Sequence, residues 1–412
     1  MSKIQPVRGT HDLTGNDILL YKHIRKVISE MADSYDYNEI ETPIFESSEL
    51  FKKPLGEYSD VVLKEMYSFE DRNQSSLTLR PEYTIPMIRA SITNNLLNHL
   101  PVKLFGIGSM FRRERPQKGR YRQFNQINFE ILGTPEPTAD AELIILAYEF
   151  LKYLKIENKV NLQLNSLGDL NTIFKYNNIL SGYYNKYKSD LSNESKVKIN
   201  SNPLRILDSK NPEDSKVNQN APKIKEFYSK TAKEMFAKVQ SLVSSVGITF
   251  SVNNNLVRGL DYYCHTVFEF KTSEIGSQDT IIGGGRYDGL VKTIGGPDIP
   301  GVGWASGIER IVMMLNKVDT KNPLVQVITI DEQSKNYGLN LLISLRKMKI
   351  KVRYDHRINI KKSLKHANEA KINFAIIVGE SEIKNNNYTV KNLFDNTQQT
   401  LSFEELLNFF QS

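Results

Sequence analysis

Cysteine is almost missing from this chain of 412 residues, which has one, Cys264. A lone thiol excludes an intrachain disulfide and a cysteine-cluster zinc site, and the six histidines never fall in an HExxH or HxH spacing. No metal fixed by a protein cluster is therefore expected. Nor is there an apolar run of bilayer length, and the opening residues MSKIQPVRGTHDL carry neither an apolar signal core nor a cleavage site. A cytoplasmic home without membrane contact is the expectation. A Walker lysine motif is lacking, and GVGWAS misses the dinucleotide fingerprint because Ser306 stands where its last glycine belongs. Phosphate binding, if it occurs, has to rest on arginines. Internal repeats and low-complexity tracts are absent too.

What is present fits a globular protein: 40% hydrophobic and 25% charged residues. The length exceeds one ordinary core, which predicts two or three domains. The net charge of +7 is compatible with a polyanionic partner. It is equally compatible with a composition rich in Lys and Asn.

Periodicity divides the chain. Residues 1 to about 165 alternate amphipathic helices with strands; the clearest helix is Asp17–Tyr35, with Ile18, Tyr21, Ile24, Val27, Ile28 and Met31 on one face. From about 170 to 247 the pattern is polar and helical, broken at NPLRILDSKNPED, and reads as an inserted helical module. Strand patterns resume at Thr249 and run through LVRGLDYYCHTVFEF and a glycine-rich turn to a terminal helix, WASGIERIVMML. After KVDTKNP the order becomes strand (Val325–Ile330), helix (Tyr337–Met348), strand (Lys351–Tyr354), helix (Ile360–Ala370), strand (Phe374–Val378), which predicts a small α/β domain around a mainly parallel sheet. Between Arg346 and Lys371 it carries ten basic residues against two acids, either a solvated helix face or a surface for RNA.

Five segments concentrate chemistry. In FRRERPQKGRYRQFNQINFEILG, Pro116 and Gly119 mark a loop between two strands, and the return strand alternates Gln126, Asn128 and Glu130 with Ile127, Phe129 and Ile131. An antiparallel return brings Arg112 to the side of Gln126 and Glu130, so that cation, amide and carboxylate share a floor. Buried, such groups need partners or a ligand; exposed, they make an ordinary salt-bridged hairpin. LVRGLDYYCHTVFEF reads as a strand presenting Arg258, Tyr262 and Tyr263. GGGRYDGL reads as a tight turn permitting close backbone approach at Gly283–Gly285, followed by Tyr287. GVGWASGIER is a strand entering a helix at Arg310, a cation for the far end of a triphosphate or a surface partner of Glu309. In TLRPEYTIPMIRA, Glu82 and Thr84 are placed to meet an ammonium group.

In this order the segments resemble the histidyl-tRNA synthetases of the class II aminoacyl-tRNA synthetase family. RGTHD, ETPIFE with Pro43 (motif 1), FRRERPQKGRYRQF (motif 2), NPLRILDSKNP, RGLDYY, GGGRYDG and GIER (motif 3) carry the resemblance over essentially the whole chain. Motif 2 and GIER give the class; RGLDYY and GGGRYDG give the amino acid.

The resemblance implies an α+β catalytic domain over residues 1–320, with an antiparallel sheet flanked by helices and an insertion at about 170–247. It further implies a C-terminal α/β anticodon-binding domain over 325–412, and a homodimer built around motif 1. It implies activation of L-histidine with ATP, accompanied by Mg²⁺, and transfer to tRNA(His). Arg112 and Arg258 are then the catalytic pair on the α-phosphate and substrate carboxylate. Glu114, Arg120 and Arg310 also hold ATP, Arg310 at the γ-phosphate. Glu82, Thr84 and Gln126 match the ammonium positions and Glu130 with Tyr263 the imidazole positions, while Tyr83, Tyr262 and Tyr287 line the pocket. Arg115 and Gln117 match positions facing the tRNA acceptor end. The chain departs from the common pattern at Tyr83, where glycine is frequent and a narrower pocket is implied, and at Cys264-His265. A non-catalytic, histidine-binding regulatory paralogue of the kind that assists ATP phosphoribosyltransferase shares such a pocket, but usually lacks the second arginine and the C-terminal domain.

Overall fold

The computed structural model describes residues 3–56, 61–276, 279–315, 324–357 and 359–411. The chain divides into two compact units, residues 1–318 and 319–412. The expected linker KVDTKNP lies outside the described residues.

The first unit is built on eight strands: β1 (Asn38–Glu39), β2 (Val102–Phe111), β3 (Gln123–Leu132), β4 (Asn161–Ser166), β5 (Phe250–Val252), β6 (Cys264–Lys271), β7 (Thr280–Arg286) and β8 (Gly301–Gly307). Their order across the sheet is β1-β2-β3-β8-β7-β6-β4-β5. The six central strands are antiparallel, as the resemblance implies, but the short edge strands β1 and β5 pair in parallel, so the sheet is mixed.

Alternation gives this sheet two different faces. On one, Phe105, Phe129 and Trp304 stack across β2, β3 and β8 with centroids 5.4 and 4.9 Å apart. Each such buried side chain contributes roughly 1.5–3 kcal/mol. Helix α1 (Gly15–Ser34) packs here through Tyr21, Ile24, Ile28 and Met31. Four of the six residues expected on its inner face are fully buried, and Ile18 and Val27 are partly so. Helix α2 (Thr84–Thr93) follows TLRPEY, and helix α3 (Pro137–Tyr153), opened by a proline that needs no intrahelical donor, adds Leu143, Ala147 and Phe150 to the core. Helix α4 (Ile308–Met314) continues directly from β8.

The stretch expected as a helical insertion holds helices Leu170–Lys186, Asn193–Lys198, Leu204–Leu207, Pro212–Asn218 and Lys230–Ser245. Two local expectations are corrected. Gly283–Arg286 continue strand β7 rather than forming a turn, and Tyr262 and Tyr263 precede β6 rather than lying in a strand. A run of glycines does not by itself end a strand; here the neighbouring backbones need the space. A Cβ on Gly284 would lie 2.6 Å from that of Trp304.

In the second unit strands β9 (Val325–Thr329), β10 (Val352–Asp355) and β11 (Phe374–Val378) pair in parallel as expected. Helices Ser334–Lys347 and Ile360–Glu369 connect them. Two further antiparallel strands, β12 (Asn387–Asn392) and β13 (Gln398–Ser402), complete the order β10-β9-β11-β12-β13. Strand β13 is exposed almost throughout, so it lacks the alternation that reveals a strand in sequence.

Candidate active site

The other face of the large sheet holds the site. Register places Gln126 of β3 between Gly108 and Gly307, Asn128 between Gly106 and Ala305, and Glu130 between Leu104 and Gly303. Small neighbours open the space that the polar side chains occupy. A Cβ on Gly303 would overlap the Glu130 carboxylate, and one on Gly283 the Arg258 guanidinium. Asn128 and Glu130 are fully buried, which rules out the exposed salt-bridged hairpin.

A cavity of about 280 Å³ lies over this face and is lined, among others, by Glu82, Thr84, Arg112, Glu114, Arg120, Gln126, Arg258, Tyr262, Tyr263 and Arg310. Residues 150 and more apart in sequence are thus brought together. Arg112 donates through Nε to Pro81 O at 2.8 Å and lies over the Phe124 ring. Arg120 is paired with Glu114 and approaches Glu65 at 3.7 Å. Arg310 donates to Gly119 O at 3.2 Å and Thr280 O at 2.7 Å. Burial and then the like charges of Arg112 and Arg120 lower its pKa to about 10. Arg258 is paired with Glu269, and among the described residues no acceptor meets its buried Nε. Burial opposes its charge, but Glu269 together with Tyr263 and Tyr262 outweighs it and raises the pKa.

The remaining lining is built to receive a donor. Gln126 Oε1 is buried with no donor among the described residues. Glu82 caps α2, accepting from Thr84 N at 3.0 Å and Ile85 N at 2.8 Å, yet burial pushes its pKa up to about 7. Glu130 and Tyr287 stand behind the lining. Glu130 accepts from the lining residue Thr84 (Oγ1, 2.7 Å), from Asn128 at 3.4 Å and from the Tyr287 hydroxyl, and burial pushes its pKa up to about 8. Tyr262, Tyr263 and Tyr287 touch edge to face or tilted, with centroids 4.6 to 6.5 Å apart.

Some expectations change. Tyr83 faces away from the cavity: its hydroxyl donates to Ile40 O at 3.2 Å and Arg80 lies over its ring, so it does not narrow the pocket. Cys264 is buried with Sγ accepting from Asp288 N, and neither it nor His265 lines the cavity. Arg115 and Gln117 are exposed on the hairpin loop, outside the cavity. Glu309 is no surface partner; it is buried and accepts from Asn125 N at 2.8 Å. Sequence alone does not single out Glu269 or Glu309 as part of the site. A lone acid within an apolar strand, VFEF, is the available signal for the first.

The raised carboxyls fix a pH dependence. Above about pH 4.5 the unfolded chain loses protons that folded Glu82 and Glu130 retain, so the unliganded protein loses stability as pH rises through about 7 and 8. A bound ammonium group reverses the balance by favouring ionised Glu82. Affinity for a ligand bearing such a group is therefore expected to rise between about pH 6 and 8, with proton release seen by calorimetry in buffers of different ionisation enthalpy. The variant Glu82→Gln should flatten the dependence; an unchanged slope in that variant would assign it to a titrating group of the ligand itself.

Among the described residues, a sheet with antiparallel central strands, a motif 2 hairpin, four cavity arginines and no phosphate-cradling loop define a class II aminoacyl-tRNA synthetase. The histidyl-tRNA synthetase family profile matches residues 9–311, and that of an anticodon binding domain matches residues 324–412. A relative named histidine–tRNA ligase, from Ehrlichia canis, is 43% identical over 99% of this chain and 98% of its own. The structure of apo S. aureus histidyl-tRNA synthetase superposes with a TM-score of 0.83 at 30% identity, covering 100% of both chains. The chain belongs to the histidyl-tRNA synthetase family. An ATP phosphoribosyltransferase regulatory subunit/histidyl-tRNA synthetase from Bacillus halodurans shares the fold alone, at 20% identity and a TM-score of 0.68. Among the described residues no helix is long and apolar enough to cross a membrane.

Proposed function

We propose that this chain joins L-histidine to tRNA(His) at the expense of ATP. The observation that carries the proposal is one cavity combining Arg112, Arg120, Arg258 and Arg310 with the unpartnered Gln126 Oε1 and the Glu82 carboxyl. An oxygen of the histidine carboxylate attacks the α-phosphorus of ATP, and the bond to the bridging oxygen breaks as pyrophosphate leaves. A ribose hydroxyl at the tRNA 3′ end then attacks the carbonyl carbon, and AMP departs. Both steps develop negative charge, which preorganised cations stabilise without a protein nucleophile.

Arg112 and Arg258 are assigned to the α-phosphate and carboxylate, and Arg310 to the γ-phosphate. Glu114 and Arg120 frame the nucleotide. Glu82, Thr84 and Gln126 take the ammonium group. An imidazole offers a donor and an acceptor, and Glu130, with three protein donors already, has a lone pair left for its N–H. Tyr263 serves the other nitrogen, with Tyr262 and Tyr287 packing the ring. Such a hydrogen-bonded pocket rejects analogues lacking these groups by roughly 10⁴ to 10⁵ fold.

Mg²⁺ is assigned to ATP itself, as the phosphates' own counterion. The cavity carboxylates do not fit a metal: Glu82 accepts backbone N–H groups, Glu114 pairs with Arg120 and Glu309 accepts from Asn125. Arg115 and Gln117, on the exposed loop, are assigned to the tRNA acceptor end, residues 1–320 to catalysis with the insertion at about 170–247, and residues 325–412 to the anticodon. A homodimer is proposed because Ile44, Phe45, Leu63 and Phe69 are each about half exposed around motif 1 and the small sheet Phe45–Ser47, Tyr67–Glu70, Ser76–Leu79.

The test is ATP–pyrophosphate exchange with each amino acid in turn, followed by transfer of labelled histidine to tRNA(His). Exchange dependent on histidine alone is expected. Its absence would sink the enzymatic reading, and exchange with another amino acid the specificity.

A further inference from the structure

Arg258 stands in Val257–Tyr263, a segment with neither helix nor strand that also bears Tyr262 and Tyr263. A clamp on a reacting centre must be held to within a fraction of an ångström, and irregular backbone does not supply that alone. Upstream, Asn165 of β4 donates to Leu256 O at 2.9 Å. The middle of the segment is held from the helical insertion. Arg205, in the helix Leu204–Leu207, donates one amine to Gly259 O, the carbonyl immediately after Arg258, and its Nε to Asp261 Oδ1 at 3.3 Å. The planar guanidinium spans two acceptors two residues apart in a fixed fork. Gly56 passes close to the other side of Asp261, where a Cβ would lie 2.6 Å from its Oδ2.

The same short stretch reaches the far side of Arg258. The Asp208 carboxyl lies in the field of Glu269, Lys271 and Lys210, and Glu269 is the carboxylate paired with Arg258 and held by Lys271 at 3.1 Å. Nothing in the reaction assigned above employs Arg205.

We propose that Arg205 is a positioning residue for Arg258: by gripping Gly259 O and Asp261 it sets the guanidinium of the reaction-centre clamp, and so ties the inserted helices to histidine activation. The proposal rests on the synthetase reading. Partly exposed ion pairs add little stability, so the effect belongs in catalysis more than in folding.

The experiment is a double-mutant cycle on the full chain, reading the kcat of histidine-dependent ATP–pyrophosphate exchange for Arg205→Ala, Arg258→Ala and the two combined. Arg205→Ala is expected to lose roughly 10- to 10²-fold, as misplacing a reacting group does, with an unchanged circular dichroism spectrum. The combined variant should fall no lower than Arg258→Ala alone, because residues acting as one unit are not additive. Arg205→Lys, which keeps the charge but not the fork, should not rescue. Full activity in Arg205→Ala, or a combined loss equal to the product of the two, overturns the proposal. If Arg205→Ala does not fold, Asp261→Ala removes one anchor and leaves the fork intact. Its smaller loss should vanish in the Arg258→Ala background, and an equal loss in both backgrounds overturns the proposal as well. Exchange by the unaltered chain tests the synthetase reading separately.

Discussion

Alanine at position 258 is expected to lower histidyl-adenylate formation by about 10² to 10³ fold, the usual effect of removing one preorganised charge stabiliser. The loss should appear in kcat, because the charge it meets grows towards the transition state. The fold should survive: Lys271 stays 3.1 Å from the Glu269 carboxylate that Arg258 leaves behind. Single-turnover adenylate formation by the purified variant, alongside its melting temperature, checks both statements. Activation at a near-normal rate would remove Arg258 from the clamp.

A single methyl group should be nearly as damaging at Gly303. Its Cβ would enter the Glu130 carboxylate and approach Phe129 O at 2.6 Å, in a central strand flanked on both sides. Either the carboxylate swings away from Thr84 and Tyr287, or β8 moves; overpacking of this kind typically costs about 1–3 kcal/mol. Gly303→Ala is therefore expected to weaken histidine binding by something like 10² fold, since several hydrogen bonds in the amino acid pocket depend on Glu130. The arginines assigned to phosphate in the proposal are untouched. Thermal stabilisation by ATP should persist while stabilisation by histidine is lost; retention of both would show that the strand relaxes without disturbing Glu130.

The polar row on β3 is legible in the sequence, because Gln126, Asn128 and Glu130 alternate with apolar residues. What alternation does not reveal is which strands lie beside it. The glycine that gives Glu130 its room, Gly303 of β8, is 173 positions away, while Gly106 and Gly108 of β2 make room for Tyr83 and Arg80, so the fit is a fact of register between distant segments. The same limit hides Glu269, whose significance depends on Arg258 folding onto it. Tyr83 defeats a sequence reading for a related reason. A residue between Glu82 and Thr84 belongs to the pocket by sequence, but at the start of α2 its side chain points across the backbone to Ile40. In the second unit β9 and β11 carry the largely apolar runs of buried parallel strands, whereas exposed β13 carries none. The inserted helices are visible from composition and polar helical periodicity. The grip of Arg205 on the Arg258 segment is not, since a lone arginine names no partner.

Beyond burial, the charge of Arg112 lowers the affinity of Arg120 and Arg310 for protons, and that of Arg120 lowers it further at Arg310. In the empty protein this crowding acts against compaction, and a polyphosphate relieves it. ATP is therefore expected to raise resistance to heat and to proteolysis, and a melting temperature that does not rise with ATP would count against the role proposed for these arginines.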